Sequence, residues 1–111
     1  MPRTIAVDRY TCHFFSSRDE DDLLVYLYDQ KSNVVAELHF VPPPHPLPLP
    51  SVVNGRRRLY YRRSAFTEVL DILRNESPVY LHPREDGSVS ISSAFEPVGD
   101  GERVYRVQSR A

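Results

Sequence analysis

The sequence predicts an α+β fold, a mostly antiparallel β-sheet with one helix packed on one face, and three observations predict it. The helical spacing i, i+3, i+4, i+7 of apolar residues stands out in one place, Phe66, Val69, Leu70 and Leu73. Elsewhere short blocks rich in β-branched, aromatic and leucine residues are bounded by turn formers, which is the pattern of strands. The chain has 111 residues and is 41% hydrophobic, which suits one domain spanning 1–111 with a single two-layer core.

Taken in order, Thr4 to Phe15 reads as extended. Ile5 and Val7 share one parity and Tyr10, Cys12 and Phe14 the other, so a β-bulge near Asp8-Arg9 is expected. The acidic run Asp19-Glu20-Asp21-Asp22 reads as a solvated connection. Leu23 to Tyr28 and Val34 to Val41, joined by Asp29-Gln30-Lys31-Ser32-Asn33, form a predicted antiparallel hairpin. Its parity puts Val34, Ala36, Leu38 and Phe40 on the core side and Glu37 and His39 on the other.

Pro42 to Pro50 holds six of the ten prolines, so it can neither enter a helix interior nor donate to a sheet ladder. It reads as a stiff crossing between two strands, although Pro43 and Pro46 also have the spacing of a ligand for a proline-recognising groove. Asn54-Gly55 predicts a type I′ hairpin turn between Ser51-Val52-Val53 and Arg56 to Arg62. Ser64 is the expected N-cap of a helix to Arg74, whose apolar stripe should dock on Val25, Leu27, Leu38 and Leu59. Asn75 and Pro78 close it. A second hairpin, Val79 to His82 with Val89 to Ser92, follows, and Glu102 to Gln108 reads as one more strand.

Charge and cysteine content exclude several function classes. Fourteen basic against fifteen acidic residues, a net charge of −1, argue against a generally cationic nucleic-acid binder but leave room for a local basic patch. Thirteen of the fourteen are arginine, the better residue for bidentate recognition of phosphate and carboxylate. No apolar run reaches the roughly 20 residues of a membrane span, and the charged start lacks the apolar segment of an export signal. A cytoplasmic protein with no membrane partner is expected. The lone Cys12 can make neither an intramolecular disulfide nor a multi-cysteine zinc site, and it reads as a core residue.

No cofactor or metal is expected. The four glycines all fit turns, so no phosphate-cradling loop is present. His39 and His82 could meet across the sheet but lack a third ligand, and Glu96, Asp100 and Glu102 lack the spacing of a calcium loop. Cys12 and His13 are strand neighbours pointing to opposite faces, and Ser90, Ser92 and Ser93 lack a nucleophile-elbow context. The chain reads as non-enzymatic.

The segment most suited to recognition is Arg56 to Arg63, five arginines and two tyrosines in eight residues. If Leu59 and Tyr61 face the helix, then Arg58, Tyr60 and Arg62 share the opposite face, joined by parity with Tyr26, Tyr28, Glu37, His39, Tyr80 and His82. Candidate binding residues are thus Arg56, Arg58, Tyr60, Arg62, Tyr26, Tyr28 and His39. Aromatic rings stack on bases while arginine neutralises phosphate, so such a face suits single-stranded nucleic acid. Strands followed by a covering helix, with an aromatic and basic sheet left open, resemble the layout of Whirly-type single-strand-binding proteins. The resemblance covers layout only, and no residue role is carried over. The same residue types also anchor protein interfaces, so a protein partner or a homodimer fits the composition equally, as does an ordinary solvated strand.

Overall fold

The computed structural model describes residues 4–16 and 22–93. Its elements are strands β1 (Ile5–Val7), β2 (Arg9–Phe14), β3 (Leu23–Tyr28), β4 (Val34–Val41), β5 (Ser51–Val53) and β6 (Arg56–Arg62), helix α1 (Phe66–Asn75), and strands β7 (Val79–Pro83) and β8 (Val89–Ser93). The predicted α+β class is the observed one. The strands are divided between two sheets: a five-stranded sheet in the order β2-β3-β4-β6-β5 and a three-stranded sheet in the order β1-β7-β8.

The change of parity near Asp8 marks a change of sheet rather than a bulge. β1 pairs with β7, β2 pairs with β3, and the Asp8 amide donates to the Tyr28 carbonyl at 2.8 Å where the chain crosses. The bulge falls instead in the predicted hairpin, where Leu27 pairs with Ala36 but Tyr28 pairs with Val34. The extra residue in β4 moves Val35, rather than Val34, onto the core side. All pairings are antiparallel except β4 with β6, which run parallel because the proline segment and β5 lie between them in the chain.

Helix α1 and the small sheet together cover one face of the large sheet. Their common core holds Leu23, Val25, Leu27, Ala36, Leu38, Phe40, Leu59, Val69, Leu73, Val79 and Leu81. Phe40 stacks on Tyr61 and meets Phe66 edge-on at a centroid distance of 5.3 Å. The helical stripe is rotated slightly from the expected one: Ile72 packs on the core, while Leu70 is only half-buried. The rotation accompanies a different helix start. Arg63–Ala65 forms a 3-10 turn, Ala65 occupies the N-cap, and no side chain caps the helix. Ser64 therefore does not serve as the predicted cap.

Asn54 and Gly55 have φ of 53° and 81°, the two positive values of a type I′ turn. They fold β5 back on β6, with Val53 opposite Arg56 and Ser51 opposite Arg58. β4 ends at Val41, opposite Arg62, so residues 42–50 must cross β6 to reach β5 at the sheet edge. That crossing is the strap of the next section. The expected strand at Glu102–Gln108, the turn at Glu96–Glu102 and most of the Asp19–Asp22 run lie outside the described residues. Among the described residues, no helix is long and apolar enough to cross a membrane.

Candidate binding face

The register of the large sheet sets the polar residues in rows on the face opposite the helix. One row runs Thr11, Tyr26, Glu37, Arg58, Ser51, and the next runs His13, Leu24, His39, Tyr60. Arg56 and Arg62 extend β6 on the same side by strand parity, and Tyr28 extends β3. All seven sequence-predicted residues, Tyr26, Tyr28, His39, Arg56, Arg58, Tyr60 and Arg62, thus share one face. Tyr80 and His82 do not join them, because β7 belongs to the small sheet. His39 and His82 therefore do not meet, and the described residues hold no group of three metal-ligating side chains.

At the centre of the face is Glu37, a buried carboxylate with 7% of its surface exposed. Burying a charge is tolerated only when it is paired, and this one has three partners. Arg56 Nη1 donates to its Oε2 at 3.1 Å, His39 Nε2 lies 3.2 Å from its Oε1, and Arg58 Nε lies 3.4 Å from the same oxygen. The Arg58 contact is an ion pair by distance but is too poorly aligned to be a hydrogen bond. The Arg58 Nε–H is consequently a buried donor without a hydrogen-bond acceptor among the described residues.

His39 also stacks on Tyr60, with centroids 5.0 Å apart and planes at 29°. Over this pair passes the proline strap. Arg62 Nη1 donates to the His45 carbonyl at 2.6 Å and fixes its height above the sheet. Between His45, Pro46 and Pro48 on one side and His39, Arg58 and Tyr60 on the other lies a slot of about 380 Å³, with Val41 also in its lining. That volume is at the small end of ligand pockets. Its walls combine flat rings, proline surface and one guanidinium whose Nε lacks an acceptor.

At the β2 side, Thr11 shares hydrogen bonds of 3.0 Å with both His13 and the Tyr28 hydroxyl, and His13 meets the Tyr26 ring edge-on at 4.9 Å. Neither Thr11 nor His13 was among the expected binding residues, although the alternation of Arg9, Thr11 and His13 with Tyr10, Cys12 and Phe14 carried the signal. The role of Glu37 as the hub for Arg56, Arg58 and His39 was equally hidden, because only the parallel register of β4 and β6 brings residues 19 and 21 positions apart side by side.

Cys12 is exposed at the β2 edge rather than in the core, since no strand covers it there among the described residues. What burial its thiol has raises its pKa from the ordinary value, away from the thiolate a nucleophile needs. On the small sheet, His82 Nε2 lies 2.6 Å from Ser92 Oγ and its Nδ1 lies 3.4 Å from Thr4 Oγ1, so among the described residues no carboxylate orients the ring. On the helix side, burial raises the Tyr61 phenol pKa and keeps it protonated.

No known protein family matches the chain, and neither the curated proteins nor the solved structures contain one with significant similarity to it.

Proposed function

We propose that this protein is a non-catalytic binding module that engages single-stranded nucleic acid through the polar face of the large sheet, with the proline strap forming the wall of one base-sized slot. The observation that carries the reading is the slot itself. A stacked His39–Tyr60 pair lies beside the guanidinium of Arg58, and the Arg56 and Arg58 side chains remain 46% and 42% exposed although both contact Glu37. A ring stacked on Tyr60 and a phosphate or base carbonyl at Arg58 use both features.

Charge sets the magnitude. Arg56, Arg58 and Arg62 offer at most three phosphate contacts, so binding should weaken with salt at a log–log slope near −2, or about twentyfold between 50 and 200 mM. Fluorescence anisotropy with a labelled single-stranded oligonucleotide at those two salt concentrations tests this. Arg58→Ala with Arg62→Ala should reduce the loss to about threefold. Tyr60→Ala should cost about 1–3 kcal/mol at either salt, because stacking is not ionic. No binding at 50 mM salt would overturn the reading. A protein partner is the second reading, favoured by exposed apolar residues at the strap and β5.

A further inference from the structure

Five large apolar side chains are exposed among the described residues, and four of them, Leu47, Leu49, Val52 and Val53, lie in seven consecutive positions of the strap and β5. Leu49 is 85% exposed and Val52 58%. An apolar concentration of this kind on a sheet edge marks an interaction surface. The backbone beside it is equally specific. In a two-residue hairpin the residues flanking the turn exchange hydrogen bonds, so Val53 bonds Arg56 and, two positions on, Ser51 bonds Arg58. Val52 is left with its N–H and C=O directed away from β6. Pro50 has no N–H to offer before it, and Asn54-Gly55 turns the chain after it.

We propose that the occupant of this edge is a second copy of the same chain, with β5 of each protomer paired antiparallel about a twofold axis through Val52. Two Val52 residues facing each other form a hydrogen-bonded pair, each N–H donating to the other carbonyl, so the outward donor and acceptor of Val52 in the two copies satisfy each other. A ladder this short gives a foreign peptide little to hold, whereas an isologous contact uses every residue of the patch twice. The electrostatics also favour a copy. Residues 42–53 carry no Asp, Glu, Lys or Arg, and self-pairing requires such a surface because symmetry sets like charges against each other. The arginines of β6 and its copy are three strand spacings apart, roughly 14 Å. That is beyond the screening length of about 8 Å at physiological salt.

The axis stands normal to the sheet, so the ten-stranded dimer has both polar faces on one side and both slots on one continuous surface. The inference does not depend on what those slots bind. The patch is small, and a dissociation constant in the micromolar range is expected.

Sedimentation equilibrium from 5 to 500 µM, without nucleic acid, tests it. The expected result is a reversible monomer–dimer equilibrium based on the 12.8 kDa chain. Leu49→Glu, at a position too exposed to disturb the fold, should weaken dimerisation at least tenfold, and Val52→Pro, which deletes the outward N–H, should do the same. Hydrogen exchange at the Val52 amide should slow as protein concentration rises. A monomer throughout, a dimer indifferent to both substitutions, or Val52 protection independent of concentration, as when another part of the same chain covers the edge, would each overturn the proposal.

Discussion

Glu37→Gln separates stability from binding on the same face, because the carboxylate performs two opposed jobs. It accepts a hydrogen bond from Arg56 at 3.1 Å, lies 3.2 Å from His39 Nε2 and forms a 3.4 Å ion pair with Arg58, and it cancels one of the three positive charges that Arg56, Arg58 and Arg62 offer to a ligand. Removing one partner of a fully buried ion pair costs about 3–5 kcal/mol, since the other charge is then buried unpaired. Here the orphaned arginines are nearly half exposed and can hydrate, and the amide oxygen of glutamine still accepts one hydrogen bond. The expected loss is therefore about 1–2 kcal/mol, with the melting temperature falling about 4–8 °C for each kcal/mol. Two-state urea unfolding followed by circular dichroism measures it. Affinity for a single-stranded oligonucleotide should move the other way, rising at 50 mM salt because Arg56 and Arg58 no longer share their charge with a carboxylate. Unchanged stability would refute the hub role of Glu37. Weaker oligonucleotide binding by a folded variant would refute the claim that these arginines are held in reserve for phosphate.

Two further perturbations test the fold and its pH response. Leu38, with no exposed surface, should lose about 2–5 kcal/mol on substitution by Ala, whereas the half-buried Leu70 should lose under about 1.5 kcal/mol. Equal losses in urea unfolding would put the helix in the wrong rotation. Asp29 and Asp86 have lowered carboxyl pKa values, Asp29 chiefly through the Asn33 amide and Asp86 through the Ser88 hydroxyl and amide. A lowered folded-state pKa means that the unfolded chain takes up the proton first. The stability from both turns is therefore present above the unfolded value of about 3.9 and is lost as pH falls through the folded values. Asp29→Asn and Asp86→Asn should each flatten the acid limb of a urea-midpoint profile below about pH 5 without steepening it above. A steeper acid limb would contradict the assignment.

The sequence carried local features well and long-range ones poorly. The type I′ turn was readable because two positive φ angles demand residues such as Asn and Gly, and the stiff crossing was readable because proline removes donors. The polar face was readable because strand parity is strict within each element. Three features were not. Whether Ile5–Val7 joins the sheet of Arg9–Phe14 depends on which partner strand is nearest, and alternation is silent on partners. The bulge at Val34–Val35 shifts parity by one residue in a stretch where both residues are valine, so no change of composition reveals it. The Glu37 hub exists only because β4 and β6 run parallel, and that follows from the strap crossing β6 rather than from either strand's own residues.

The central claim is that the ligand lies on the strapped polar face, and amide chemical-shift mapping tests it most directly. A ¹⁵N-labelled sample titrated with an unlabelled single-stranded oligonucleotide should show its largest shifts at His39, Arg58, Tyr60 and the strap residue His45, with smaller ones at Tyr26 and Thr11. Shifts centred on Phe66–Asn75 or on the small sheet, or an unperturbed spectrum at saturating oligonucleotide, would contradict it.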